Sequence, residues 1–240
     1  KLSLKDNYTF KSVSPHIDSL ISVSDVLKEE LNPFFKNTPI DILPNHINTE
    51  IFKPSEKEEN ETVQFLHIST LDENFKNPKG MIDACKLLTD SGVQNFHFTI
   101  ICDESTKKWK DYRDKLKLSE YISFKGPFNW DIIPSFYQKA DCFILFSTYE
   151  TFSIVLAEAW SCGVPTITTE VGIANNLPSE IGILVKKNNT EDLANSMRNF
   201  ISNKITFETK TIQAYAEKFS EKEVLLKYAV TNVGGGPYTT

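Results

Sequence analysis

The segment Ser147–Thr169, S-T-Y-E-T-F-S-I-V-L-A-E-A-W-S-C-G-V-P-T-I-T-T, constrains this chain more than any other. Before it stands a short, bounded apolar run, Cys142-Phe143-Ile144-Leu145-Phe146, of the kind that forms a fully buried parallel strand. Ser147–Glu150 reads as a polar loop at that strand's carboxyl end, and Thr151 or Ser153 can cap the helix that follows. The helix is expected over Ile154–Ser161. Gly163 stops it, Pro165 lies just beyond, and Val164–Thr168 restarts a strand.

Two carboxylates sit in this unit, Glu150 in the loop and Glu158 inside the helix, with seven residues between them. The eight steps would rise about 12 Å if all were helical, but the first one or two are loop. Between the two acids lies a helix start, whose free N–H groups around Phe152, Ser153 and Ile154 attract phosphate. Ligands of open α/β sheets lie beyond the strand carboxyl ends, where this loop is. The arrangement is an anion site flanked by two acceptors for hydroxyl groups, a pattern that a nucleoside diphosphate sugar would match. Two plainer readings stand beside it: Glu150 as a solvated loop residue, and Glu158 as a structural carboxylate paired with a lysine. Glu158 is the harder to dismiss. It is embedded among Ile154, Val155, Leu156, Ala157, Ala159 and Trp160, and burying an unpaired carboxylate is costly.

The string E-T-F-S-I-V-L-A-E-A-W-S-C-G-V-P-T-I-T resembles the E-x7-E signature of the retaining family-four glycosyltransferases, which have the GT-B fold. The match continues through F-x-x-x-x-x-E-A-x-x-x-G-x-P, well beyond two spaced acids. The resemblance implies that Glu150 touches the donor sugar hydroxyls and Glu158 the ribose. It also implies that backbone N–H groups near Phe152 and Ser153, at the start of the helix opened by Ile154, hold the diphosphate. It covers roughly Ser19–Val230 and is strongest over Asp141–Val185.

Before the core, Leu20–Ser24 reads as a short strand, Ser24 or Asp25 caps a helix through Phe35, and Ile40–Asn45 is a second strand entering a turn. Ile51-Phe52-Lys53-Pro54 follows, then the charged run Ser55–Glu61, a linker by composition. This resembles the last strand and helix of the family's N-terminal domain and its I-P-N-G-x-x-x-x-x-F-x-P crossing segment, with His46 in place of the turn glycine. Val63–Ser69 is the first core strand. Its polar loop, Thr70–Lys79, ends in K-N-P-K-G, and the helix Gly80–Leu88 follows. A lysine in such a loop can reach a diphosphate as a point charge. The family's lysine position best matches Lys76, with Lys79 as the close rival and a solvated loop charge as the plain reading of either. Thr70 stands where the family often has an arginine.

Strand and helix signals then alternate: strand Asn95–Cys102, helix Ser105–Leu116, strand Tyr121–Lys125, turn Gly126-Pro127-Phe128 and helix Asp131–Lys139. That rhythm predicts a parallel, doubly wound sheet. The turn after Lys125 resembles the family's nucleobase loop, where Phe128 either stacks on a base or packs into the core. Thr168–Ala174 reads as a loop. The family has a Gly-Gly pair there near the donor; this chain has Gly172-Ile173. Ile181–Val185 is a strand, and Asn189-Thr190-Glu191 caps a helix to Phe200. Helical stretches Phe207–Phe219 and Lys222–Val230 close the chain, and Gly234-Gly235-Gly236-Pro237 reads as flexible.

Other chemistries find little support. A formal charge of −6 argues against nucleic acid and offers no general basic surface to anionic lipid. No apolar run of about 18 residues is present, so no membrane span is expected, and no signal peptide is visible. Cys85, Cys102, Cys142 and Cys162 form no C-x-x-C pair and read as small buried hydrophobes. His16, His46, His67 and His97 lie in no metal-ligand pattern and read as core or surface residues. No G-x-S-x-G, P-loop or G-x-G-x-x-G occurs.

The expected fold class is α/β, a doubly wound parallel sheet, Rossmann-like, one half of a GT-B fold. Residues 1–58 are expected to be a remnant of an acceptor-side domain with its crossing segment, 59–204 the donor-binding domain, and 205–240 the C-terminal helices and tail. The resemblance implies a hexosyltransferase-like activity that moves sugar from a nucleotide-sugar donor such as a UDP- or GDP-sugar to a hydroxyl of a glycan or lipid-linked acceptor, with retention. No cofactor and no metal is required in this reading, since lysine and helix dipole can stabilise the departing diphosphate. Glu150 and Lys76 are the candidate catalytic residues. Glu158, Phe152, Ser153, Ile154, Lys79, Thr70, Lys125, Phe128 and Gly172 are the candidate donor-binding residues. Only about 58 residues precede the core domain, too few for an independent domain. Most of the acceptor site is therefore expected to be absent, and the chain to bind donor while transferring little. Localisation is expected to be cytoplasmic, with any peripheral membrane attachment falling to an N-terminal domain. A non-catalytic sugar-nucleotide binding module, or an epimerase or phosphorylase on the same fold, are the competing classes.

Overall fold

A computed structural model describes residues 4–57, 60–203 and 205–233. The Gly234–Pro237 tail and part of the charged run Ser55–Glu61, at residues 58 and 59, lie outside the described residues. The first segment holds helix α1 (Leu4–Val13), which the sequence reading did not anticipate, then strand β1 (Leu20–Ser22), helix α2 (Asp25–Leu31) and strand β2 (Ile40–Ile42). β1 and β2 pair in parallel, Leu20 opposite Ile40. Ser24 caps α2 by accepting the N–H of Leu27. The helix ends at Leu31, short of the expected Phe35, because Pro33 has no N–H to continue the ladder; Phe34 and Phe35 both turn back onto the Leu31 carbonyl instead. His46 needs no left-handed backbone, so the loss of the family's turn glycine leaves no strain there.

The core alternates strand and helix: β3 (Val63–Ile68), α3 (Pro78–Asp90), β4 (Phe96–Ile101), α4 (Lys107–Lys115), β5 (Ile122–Lys125), α5 (Ile133–Lys139), β6 (Cys142–Leu145), α6 (Ile154–Ser161), β7 (Thr166–Thr169), β8 (Gly182–Val185) and α7 (Thr190–Ile201). α8 (Thr209–Ala216) and α9 (Glu221–Val233) follow. The six core strands form one parallel sheet in the order β5-β4-β3-β6-β7-β8. Thr168 is in β7, as the expected strand Val164–Thr168 had it, and Thr169 joins it rather than the loop, because both pair with β8. The helix expected from Asp131 opens as a tight turn at Trp130–Ile132 and becomes α-helical at Ile133, with Pro134 in the first turn.

Strand side chains alternate between two layers. Phe65, Phe98, Ile100 and Ile144 pack with α3, α4 and α7, whereas Leu66, Ile101, Phe143 and Leu145 pack with α5, α6 and α8. Both faces of the sheet are covered, as a parallel sheet requires. All four cysteines are free and buried. The chain starts at the centre with β3, builds outward through β4 and β5, then crosses to β6 and builds the other way. The loops after β3 and β6 therefore part toward opposite layers. Between them is a crevice at the switch point of the sheet, where ligands of such sheets bind.

Candidate functional site

Because β3 and β6 are neighbouring parallel strands, their carboxyl-end loops meet at one edge. Backbone and side chain stitch them together: the Thr148 N–H donates to the Phe75 carbonyl at 2.7 Å, and the Thr148 hydroxyl donates to the Asn74 carbonyl at 3.0 Å. This register brings Lys76 to Glu150, where Nζ donates to Oε1 at 2.6 Å. The buried Ser147 hydroxyl donates to the same oxygen at 2.7 Å. Glu150 Oε2 receives no hydrogen bond among the described residues, so one carboxylate oxygen is held and the other is available. Beneath the crevice, His67 links the two strands. Its Nδ1 lies 2.8 Å from the Ile144 carbonyl, which can only accept, so Nδ1 carries the proton and Nε2 accepts from the Ser69 hydroxyl at 2.7 Å. Burial pulls its pKa down to about 4 and keeps the ring neutral. His67 is thus a core histidine, as the sequence suggested.

Glu158 sits in the middle of α6, 8% exposed. Its partner is not a lysine. Tyr137, fully buried on α5, donates its hydroxyl to Glu158 Oε2 at 2.8 Å. Burial raises the Glu158 carboxyl to about 7, and the hydrogen bond from Tyr137 offsets only part of that rise. Glu158 Oε1 takes no hydrogen bond among the described residues. A carboxyl of this kind is partly protonated near pH 7, and further donors would favour its ionised form.

Between the two acids the chain turns through Ser153, which holds a left-handed backbone with φ +78°. Such a conformation costs a non-glycine residue about 1–3 kcal/mol and persists where the surroundings enforce it. Ser153 occupies the cap position of α6, yet neither its hydroxyl nor that of Thr151 caps the helix. The Ser153 hydroxyl is buried and, among the described residues, is the one buried side-chain polar atom without a hydrogen-bond partner. Phe152 beside it is buried against Phe219, and Ile154, half-buried, opens the helix. The loop after β7 closes over this turn: the Ile173 N–H donates to the Phe152 carbonyl at 2.9 Å. Gly172 has φ +51°, and a Cβ there would stand 2.4 Å from that carbonyl oxygen, so a side chain is excluded.

The remaining candidates lie elsewhere. Lys79 is exposed on α3 and donates to Asp83 at 2.6 Å, one helical turn on. Thr70 is exposed on the loop after β3. Lys125 ends β5 and Phe128 follows it, at the outer edge of the sheet. Phe128 stacks on Phe136 with centroids 4.9 Å apart and remains 38% exposed, so it is not a core residue. Ser147 and Tyr137 were missed. Ser147 has a local signal, a hydroxyl three residues before Glu150. Tyr137 has none, since it meets Glu158 only through the packing of α5 on α6.

A cavity of about 830 Å³ opens beside the start of α6, lined by Ser24, Asp25, Phe152, Gly172, Tyr215 and Lys218 among others. It adjoins the crevice but does not include Lys76, Glu150 or Glu158. Among the described residues no cluster of three His, Cys, Asp or Glu side chains could hold a metal ion, and no helix is long and apolar enough to cross a membrane.

Comparison with known proteins matches residues 48–219 to the family "Glycosyl transferases group 1". An uncharacterized glycosyltransferase of Methanocaldococcus jannaschii, MJ1178, is 30% identical over 92% of this chain and 60% of its own length. The fold is that of sucrose-phosphate synthase from Thermosynechococcus elongatus, with a TM-score of 0.84, 17% identity and coverage of 97% of this chain and 62% of that one. It is also that of the Anabaena protein HepE in complex with UDP, with a TM-score of 0.82, 18% identity and coverage of 98% and 69%. The chain thus spans 60% to 69% of the length of these three proteins.

Proposed function

The chain belongs to the glycosyl transferases group 1 family, and on that premise we propose that it binds a nucleoside diphosphate sugar in the crevice beyond β3 and β6 and serves sugar transfer to an acceptor hydroxyl with retention. The observation that carries this reading is the Lys76–Glu150 pair at the switch point, next to a helix start with an unpartnered buried hydroxyl. Lys76 lies between the sugar-binding carboxylate and the diphosphate. As the bond from the anomeric carbon to the diphosphate oxygen breaks, negative charge gathers on the leaving group, and the ammonium and the α6 N–H groups stabilise it. The Ser153 hydroxyl is a donor with no protein acceptor, which suits a phosphate oxygen. Glu150 Oε2 accepts a sugar hydroxyl. Glu158 accepts ribose hydroxyls through Oε1 while Tyr137 holds Oε2. Gly172 lets the loop after β7 approach the phosphates, and Phe152 fixes the turn from below.

Within this reading Lys76 is the phosphate lysine and Lys79 a surface residue, Thr70 stands on the phosphate side where the family often has an arginine, and Lys125 and Phe128 border the nucleobase end. The relative bound to UDP favours a uridine diphosphate sugar as the first donor to test. The acceptor is a glycan or lipid-linked hydroxyl. A thermal-shift screen with UDP, GDP and their sugars, followed by calorimetry, tests the reading. We expect a rise in melting temperature with at least one diphosphate and a Kd in the micromolar to millimolar range. No shift with any of them would overturn it.

A further inference from the structure

The loop that carries Glu150 is anchored from an unexpected direction. α2 lies before the residues matched by the family, which begin at 48. Yet α2 grips the loop on both sides of Glu150. At its start, Ser24 accepts the Leu27 N–H and donates its own hydroxyl to the carbonyl of Thr151, so one side chain both caps α2 and holds the loop. Near its end, Glu30 Oε2 accepts the hydroxyl of Tyr149 at 2.8 Å. Tyr149 is half-buried, with Phe75 tilted against its ring at 6.0 Å. Burial, with Glu30 adding to it, pushes the phenol up to about 12, so it stays a donor at any physiological pH. The two anchored residues, 149 and 151, bracket Glu150, whose side chain goes to Lys76 and Ser147 instead.

We propose that Tyr149 and Glu30 are a positioning pair, which with Ser24 sets where the Glu150 carboxylate stands, so that recognition of the donor sugar depends on α2. This rests on the assignment of Glu150 to sugar hydroxyls. Neither Tyr149 nor Glu30 touches the donor; both act through the backbone of the loop. Movement of α2 would then carry the sugar-binding carboxylate with it while leaving the phosphate site on α6 in place. A residue outside the matched family region would thereby tune which sugar, rather than which nucleotide, is held.

The test compares Kd for UDP with Kd for UDP-glucose, and likewise for the GDP pair, in Tyr149→Phe, Glu30→Ala and Glu30→Gln. Tyr112→Phe serves as control, since Tyr112 makes a similar bond to Asp83 on the opposite layer. In Tyr149→Phe and Glu30→Ala the preference for the sugar nucleotide over the bare diphosphate is expected to fall about tenfold, with the bare diphosphate changed less than about twofold. Glu30→Gln keeps an acceptor oxygen and is expected to keep the preference, as is Tyr112→Phe. Equal losses for both ligands, or an unchanged preference, would overturn the proposal. Hydrogen exchange reads the same idea without a ligand. The N–H group of Thr148, which donates to the Phe75 carbonyl beside Tyr149, should exchange faster in Tyr149→Phe and Glu30→Ala, but not in Glu30→Gln, while α6 is unchanged. If no diphosphate binds at all, the proposed function fails; if it binds but loop exchange and sugar preference are unmoved, the positioning pair fails.

Discussion

Glu150 and Glu158 are the same residue type in one short unit, and the protein treats them oppositely. Glu150, on a loop at the sheet edge, is met by an ammonium and a hydroxyl on one oxygen. Glu158, one helix segment on, is met by a single phenol in a hydrophobic layer, and its pKa rises to about 7. The first is a compensated charge, with a cation and a hydroxyl on one oxygen and the other oxygen open. The second is an under-compensated one, held near neutrality until a ligand supplies donors. Identity and spacing therefore set the positions of two acceptors, but surroundings set their charge. A carboxyl of raised pKa is a common mark of a functional site.

The largest expected effect comes from removing the uncompensated charge. A carboxyl whose folded pKa is raised from 4.5 to about 7 costs stability as pH climbs through that window, because the folded state then holds a proton that the unfolded state has released. Glu158→Gln keeps an acceptor for Tyr137 and has no charge to desolvate. It should stabilise the free protein by up to about 3 kcal/mol at pH 8 and hardly at all at pH 4. Chemical denaturation at the two pH values measures this, and equal effects at both would erase the contrast with Glu150. The same variant should bind nucleoside diphosphate more weakly, by about 1–3 kcal/mol.

Next comes Lys76→Ala, which strips the cation from Glu150 and from the diphosphate. Diphosphate affinity should fall by about 1.5–3 kcal/mol, and nucleoside affinity much less. The gap should narrow at high salt. If Lys79→Ala has this effect and Lys76→Ala does not, the lysine roles are exchanged. Glu150→Ala should follow at roughly tenfold, confined to the sugar nucleotide; calorimetry showing equal losses for the bare diphosphate would refute its role. A smaller effect, about 1 kcal/mol of stability, is expected for Tyr137→Phe at neutral pH.

Proton linkage sharpens the comparison further. If ribose hydroxyls ionise Glu158, nucleotide binding at about pH 6 should release protons, and the observed heat should vary with the buffer's ionisation enthalpy. Glu158→Gln should abolish that variation and Glu150→Ala should not. His67 opposes Glu158 in the free protein. A base whose pKa is depressed to about 4 contributes stability above its unfolded value of 6.5, lost as pH falls toward 4. The two slopes offset each other between pH 4.5 and 6.5, so Glu158→Gln should unmask a stability that rises with pH across that range.

Much of this was legible beforehand. The apolar run before Ser147, the helix Ile154–Ser161 and the Gly163-Val164-Pro165 stop are local signals, and the structure reproduces that helix residue for residue. The alternation of strands and helices announced a parallel sheet because crossover connections leave few other packings. Boundaries failed where non-local pairing decides them. Thr169 is strand because β8 lies beside it, whereas the early end of α2 has a local cause, Pro33, that the sequence already carried. The cap of α6 was misread because Ser153 takes a left-handed turn that its residue type does not announce.

By itself the sequence determined the family, the two acids and the lysine-bearing loop, since a signature of spaced residues is a property of one continuous stretch. The partners of those residues were decided only by the tertiary structure. Tyr137 reaches Glu158 from 21 residues away, Lys76 reaches Glu150 from 74, and Glu30 reaches Tyr149 from 119. Whether a carboxyl is charged, neutral or held in place depends on burial and on donors within about 3 Å. Those distances exist only once the sheet order has set β3 against β6, α5 against α6 and α2 against the loop between β6 and α6.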